Sequence, residues 1–252
     1  MIEKLEADAL EYLGAYEEQR AQVGIPAPQE LYWGGYLDAL CQAQGKETRS
    51  NLDWSQTGVK RMLSKEAVAT RIAADKTACQ GCALHEVRTQ AVPGVGPLRT
   101  GLAVVGQNPG KDEDTQGKPF IGDCGKLLFE PSTGLIPSTL GYLRDHTYIT
   151  NMCACLSPGN RAPLPEEVAS CGKHLRWELL NVDPKVILCL GVVPANWFLG
   201  HEAPMKELKG KVLEFEHIPV VVTYHPGYLL RNRAATAGVI DDLKKVQELL
   251  AA

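Results

Sequence analysis

Apolar positions follow two different rhythms along this chain. Up to about residue 75 they recur at helical steps. Leu5, Ala9, Tyr12, Leu13 and Tyr16 stand three or four apart, an amphipathic first helix closed by Pro26 and Pro28. Tyr32, Tyr36, Leu37 and Leu40 predict a second helix, and Ser64 before Lys65-Glu66-Ala67-Val68 reads as the N-cap of a third. No residue pattern in this stretch carries chemistry, so residues 1–75 are expected to be a helical N-terminal extension, a cap or a dock for an unidentified protein partner. Beyond it the rhythm changes to short apolar runs that stop at a turn former. Leu102-Ala103-Val104-Val105 stops at Gly106, Tyr148-Ile149-Thr150 at Asn151, Val186-Ile187-Leu188-Cys189-Leu190 at Gly191, and residues 218–224 at His225-Pro226. Each reads as a buried strand. Helical stretches around residues 126–128, 165–180, 194–199 and 240–250 separate them. Strands alternating with helices predict an α/β fold over residues 76–252: a three-layer α/β/α sandwich with a central, mostly parallel four-stranded sheet.

Composition sets bounds on this picture without changing it. The 252 residues are 44% hydrophobic and 22% charged, ordinary for a globular protein. The longest apolar run, residues 186–193, is too short to cross a bilayer, and Met1-Ile2-Glu3-Lys4-Leu5-Glu6 has no signal-peptide pattern. The expectation is a cytoplasmic protein in a reducing compartment, with no membrane partner. The net charge of −4 argues against a broadly basic surface, but it is unevenly spread. Residues 1–75 hold 8 Lys/Arg and 12 Asp/Glu, whereas the remainder holds 18 of each, which leaves room for a local basic patch there.

Eight cysteines in a reducing compartment suggest metal ligation or burial rather than disulfides. Cys79-Gln80-Gly81-Cys82 brings two sulfurs to one centre, and Cys155 and Cys171 are candidates to complete a set of four. Cys171 shares helical spacing with Val168, Leu175 and Leu179, so it points inward. Spacing alone admits zinc or an iron–sulfur cluster. Cys153, two residues from Cys155 on the same strand face, is a competing ligand. Cys41, Cys124 and Cys189 read as buried thiols, Cys124 alternatively bordering a pocket.

The remaining chemistry sits at strand ends: Gln107-Asn108-Pro109-Gly110, Asn151, and His225-Pro226-Gly227 each follow a predicted strand. Ligands of open α/β sheets bind beyond these carboxyl ends. Gly94-Val95-Gly96 invites a dinucleotide reading, but Arg99 stands where a third glycine belongs and the loop precedes its strand, so nucleotide binding is rejected.

Taken together these segments resemble the uracil-DNA glycosylase superfamily, in particular its iron–sulfur branch, family 4. The likeness is carried by Cys79-Gln80-Gly81-Cys82; Gly106-Gln107-Asn108-Pro109-Gly110 with Glu113; Gly117-Lys118-Pro119-Phe120-Ile121-Gly122; Ile149-Thr150-Asn151 followed by Cys155; Pro158-Gly159-Asn160-Arg161; Cys171; and His225-Pro226-Gly227-Tyr228-Leu229-Leu230-Arg231. It covers roughly residues 77–250. Where that branch usually carries an acidic residue followed by a small one, this chain has Gln107-Asn108, which leaves the preferred base open. The resemblance implies a [4Fe–4S] cluster on Cys79, Cys82, Cys155 and Cys171, and DNA containing uracil or another lesion as partner.

It also implies hydrolysis of a base–sugar bond in a nucleotide flipped from the stack. On that reading Phe120 stacks on the base. Asn151, donor and acceptor at once, matches the N3–H and O4 edge of uracil and refuses cytosine. His225 donates to O2 as negative charge builds, Asn108 orients the attacking water, and the Gln107 backbone helps hold the base. Glu113 crowds the C5 position against thymine, and Asn160 lies near the site. Tyr228, Leu229 and Leu230 press into the duplex as an apolar wedge, and Arg231 or Arg233 meets phosphate. Two rivals stand beside it: a glycosylase for hypoxanthine, xanthine or a mispaired pyrimidine, and an iron–sulfur DNA-binding module without catalysis.

Overall fold

The computed structural model describes residues 65–251, within which the compact unit begins at Ala69. The helices expected near residues 5–16 and 32–40, Cys41 and the Ser64 cap lie outside the described residues. In chain order the elements are α1 (Lys65–Thr77), α2 (Leu84–Val87), β1 (Leu102–Gly106), α3 (Lys111–Gln116), α4 (Asp123–Phe129), α5 (Leu135–Leu140), β2 (Thr147–Asn151), α6 (Pro165–Val182), β3 (Val186–Leu190), α7 (Val192–Leu199), α8 (Met205–Leu208), β4 (Val212–Phe215), β5 (Ile218–Thr223), α9 (Pro226–Arg231) and α10 (Thr236–Ala251). Helix α1 runs through residue 75 without a break. Among the described residues no helix is long and apolar enough to cross a membrane.

The sheet order is β2-β1-β3-β5-β4. The first four strands are parallel and are the four expected from the sequence; β4 pairs antiparallel with β5 and makes the sheet five-stranded rather than four-stranded. Two features hid β4. It is an edge strand with only Phe215 buried, so it lacks the continuous apolar run of its neighbours. Its two-residue turn to β5 is Glu216-His217, both at positive φ (48° and 70°), in place of the Asn-Gly type of pair that advertises such hairpins.

Strands β1, β2 and β3 are buried at every position, as strands covered on both faces must be. On one face Val104, Ile149, Leu188 and Val221 pack with Leu135, Ile136, Val239, Leu243 and Val246 from α5 and α10. Each fully buried side chain of this kind contributes roughly 1.5–3 kcal/mol through the apolar surface it removes from water. Alternation sends Tyr148 and Thr150 of β2 to the other face, where they meet α6. There Glu178, fully buried, accepts from Lys76 Nζ (2.5 Å), Tyr148 Oη (2.8 Å) and Thr150 Oγ1 (3.1 Å). Lys76 is itself 4% exposed and also donates to Thr150 Oγ1 (3.0 Å), so α1 is tied to the sheet by a buried, hydrogen-bonded ion pair. Gly94-Val95-Gly96, the rejected nucleotide loop, instead adds a bridge to β2: Val95 and Ile149 exchange backbone hydrogen bonds of 2.9 and 2.8 Å.

Register sets where the site forms. Gly106 is opposite Asn151, and Leu190 is opposite Thr223. The parallel strands therefore end level, and the loops that follow β1, β2 and β5 leave from one edge of the sheet.

Candidate active site

Those loops meet around a cavity of about 550 Å³, within the usual size of a small-ligand site. Gln107, Asn108, Glu113, Phe120, Asn151, Asn160 and His225 all line it, as do Tyr228, Leu230 and Arg231 at its rim. The loops after β1, β2 and β5, spread over more than a hundred residues of chain, are thus brought to one place.

Asn151 is 2% exposed, yet its Oδ1 is buried without a hydrogen-bond partner. Buried amide oxygens are almost always paired, and an unpaired one carries a desolvation cost of roughly 1–3 kcal/mol. An unpaired acceptor at the end of β2, in the wall of a cavity, is what a ligand's N–H would complete. Close against it lie Gly106 and the Phe120 ring; a side chain at Gly106 would collide with both Asn151 Oδ1 and Phe120.

His225 is the N-cap of α9, and its Nδ1 accepts the Gly227 N–H at 3.1 Å. That bond leaves the proton of the neutral ring on Nε2. Burial, with a smaller effect from Arg231, lowers the His225 pKa to about 4. Its ring centroid stands 6.2 Å from that of Phe120, tilted by 37°. Gln107 Nε2 donates to Asn108 Oδ1 (3.1 Å), and Asn108 Nδ2 donates to Pro109 O (3.1 Å), so the two amides form one short relay.

Glu113 lines the cavity, but its carboxylate is engaged by backbone. Oε2 accepts from Gly110 N at 3.0 Å, and Oε1 accepts from Ile121 and Gly122 N at 2.9 Å each. It joins the loop after β1 to the Phe120 loop. Asn160, exposed at the mouth, has φ 55°, a left-handed turn that asparagine tolerates. Beside it Arg161 makes a two-pronged pair with Glu167 (2.8 and 2.7 Å), which fastens the turn to the start of α6.

The wedge expected from Tyr228, Leu229 and Leu230 needs correction. Helix α9 turns Leu229 into the core at 2% exposure, while Tyr228 and Leu230 are 39% and 44% exposed. Helical periodicity sends neighbours to different sides, so Leu229 anchors the helix and only the other two face solvent.

A second, narrower cavity lies beside α1 and α6. Cys79, Cys82, Cys155 and Cys171 line it with Lys76 and Arg88, and Cys153 does not. Arg88 donates to Cys155 Sγ at 3.1 Å and to the carbonyls of Thr77 and Cys79 at 3.0 Å each. A hydrogen bond between Cys153 and Cys171 lowers the Cys171 pKa and raises that of Cys153. Among the described residues no three His, Cys, Asp or Glu side chains are gathered tightly enough to hold a single metal ion. Cys189 is fully buried in β3, and Cys124 is half-buried in the wall of the larger cavity, where burial pushes its thiol pKa up. Arg88, Arg144 and the Lys76–Glu178 pair were invisible in the sequence, because each acts on partners that only the fold supplies.

Residues 93–250 match the family model described as Uracil DNA glycosylase superfamily. The chain belongs to that superfamily. It is 39% identical to the Type-4 uracil-DNA glycosylase of Archaeoglobus fulgidus over 68% of this chain and 87% of that protein. The Type-4 uracil-DNA glycosylase of Thermotoga maritima is 34% identical over 75% of this chain and 98% of its own length. That of Sulfurisphaera tokodaii is 33% identical over 71% and 83%.

Proposed function

We propose that this chain is a uracil-DNA glycosylase, a hydrolase that cleaves the N-glycosidic bond of uracil in DNA and leaves an abasic site. The observation that carries the reading is the buried, unpartnered Asn151 Oδ1 in a cavity walled by Phe120 and His225. Uracil presents N3–H to that oxygen and O4 to the amide nitrogen, and cytosine presents the opposite pattern at both atoms. Phe120 supplies a flat apolar face for the flipped ring. The Nε2–H of a neutral His225 donates to O2, where negative charge accumulates as the bond to the sugar lengthens. One such preorganised donor is worth roughly 2.7–4 kcal/mol in the transition state. Asn108, held by Gln107 on one side and the Pro109 carbonyl on the other, offers an amide rather than a carboxylate to the attacking water. It orients that water and is too weak a base to deprotonate it. Glu113 fixes the two loops that frame the slot, and Tyr228, Leu230 and Arg231 face the DNA.

The family likeness and the donor chemistry support a [4Fe–4S] cluster on Cys79, Cys82, Cys155 and Cys171. Four thiolates that each take a different iron need not converge on one point, so the absence of a single-ion site among the described residues is compatible with this set. Arg88 against the Cys155 sulfur provides the cationic hydrogen bond that such thiolates favour. When bound, the cluster supplies a four-point staple and no step of the hydrolysis. The staple would secure the segment from Met152 to Cys155, whose first two amides donate to Gly106 O (2.8 Å) and Gln107 O (3.0 Å) in the catalytic loop.

The test uses short duplexes and single strands carrying one uracil, hypoxanthine, xanthine or mispaired thymine, with abasic sites revealed by alkaline cleavage. Strand cleavage at uracil is expected. Cleavage only at another base would move the substrate and keep the reaction; no cleavage of any by protein with its cluster would leave a DNA-binding module.

A further inference from the structure

Arg144 precedes β2 and takes no part in the chemistry above. Its guanidinium is half-buried and donates to two successive carbonyls, Phe120 O at 2.8 Å and Pro119 O at 2.5 Å. It lies over the Phe129 ring, 5.4 Å from the centroid, which fixes the plane of the fork. Phe120 itself has φ 52°, a backbone conformation that a bulky L-residue adopts only when its surroundings impose it. On the other side of the same turn the Glu113 carboxylate takes the Ile121 and Gly122 amides, both at 2.9 Å. Gly125 lies directly under the Phe120 carbonyl, where any side chain would collide. The turn is thus gripped at its carbonyls by a cation and at its amides by an anion.

The slot demands such a grip. The Phe120 ring, 6% exposed, packs with the core and also lines the cavity, so its pose decides how a base would stack against it. The unfavourable φ pulls the turn toward relaxation, which would swing the ring. We infer that Arg144 is a positioning residue of the base slot: its bidentate hold on Pro119 O and Phe120 O sets the pose of the stacking ring. Lysine cannot reproduce this, because an ammonium group lacks the planar fork that spans two carbonyls. The inference rests on the proposed reading of the cavity, and Arg144 acts through Phe120 without touching the substrate.

A double-mutant cycle tests it. Arg144→Gln and Arg144→Lys are made alone and with Phe120→Ala, and uracil release is measured under single-turnover conditions, together with amide exchange at Ile121 and Gly122. Either single Arg144 variant is expected to slow release ~10–100-fold, in line with the cost of a small misplacement of a reacting group. In the Phe120→Ala background the further loss shrinks to within about 3-fold, because the ring that Arg144 serves is gone. Ile121 and Gly122 exchange faster in both single variants, while amides of α10 keep their protection. Equal losses in both backgrounds, unchanged rates, or unchanged exchange at Ile121 and Gly122 would overturn the inference. If the unaltered protein releases no uracil, the functional reading fails instead, and the exchange data alone decide whether Arg144 holds the turn.

Discussion

Acidification separates the partly buried His225 described above from an ordinary surface histidine. With a pKa near 4, against 6.5 for an unperturbed ring, His225 stays neutral well into the acid range. At pH 5 roughly 90% of a group with pKa 4 is neutral, compared with roughly 3% of a group with pKa 6.5. The Nε2–H donor and the Nδ1 acceptor for Gly227 both belong to the neutral ring, so the excision step should show no break near pH 6.5 and should fall only toward pH 4. Stability follows the same shift with a definite sign. The unfolded chain takes up the proton near pH 6.5 and the folded chain only near pH 4, so the contribution of neutral His225 is fully present above about pH 6.5. It is lost as pH falls from 6.5 to 4. A gap of about 2.5 units at 1.36 kcal/mol per unit gives at most about 3 kcal/mol, less where water in the open cavity screens the ring. The assay is a single-turnover rate profile from pH 4 to 8, run beside His225→Gln, with the ring titrated by NMR. A loss of activity centred on pH 6.5 that disappears in His225→Gln, or a ring titrating at its ordinary value, would refute the reasoning.

Three further outcomes follow from the same geometry. Asn151→Ala should slow uracil excision about 10–100-fold while leaving the melting temperature nearly unchanged, since its Oδ1 has no partner in the folded protein; a large loss of stability would contradict this. Lys76→Met leaves the Glu178 carboxylate buried without its cation and should cost about 3–5 kcal/mol, read as a fall in urea midpoint; Lys76→Met with Glu178→Met should recover much of it, and equal damage from both would show that the pair is not the cause. Cys155→Ser should abolish the visible absorbance of cluster-loaded protein and Cys153→Ser should keep it, because the Cys153 thiol bonds to Cys171 and lies outside the cysteine cavity; the reverse result would exchange the two assignments.

The local periodicities already carried the four parallel strands, the long helix α6 with Cys171 on its inner side, and the strand-end placement of Asn108, Asn151 and His225. These were legible because a strand buried on both faces must be apolar throughout, and the polar residue that ends it is then conspicuous. Strand β4 was not legible: an edge strand needs no continuous apolar run, and its Glu216-His217 turn uses residues that do not announce positive φ. Leu229 went astray for a related reason. A Tyr-Leu-Leu string says nothing of helix phase, and only the docking of α9 decides that Leu229 is core and Leu230 is surface. Glu113 could be singled out as a candidate, but its hold on three backbone amides depends on a loop eight residues away folding back onto it. The sequence by itself determined where the parallel strands lie and which polar residues stand at their carboxyl ends. The tertiary structure alone decided how those residues are held, through Arg144 on the Phe120 turn, Arg88 on Cys155 and Lys76 on Glu178. The reason is physical: periodicity is a property of neighbours in the chain, whereas a charged side chain that grips a distant backbone leaves no periodic trace.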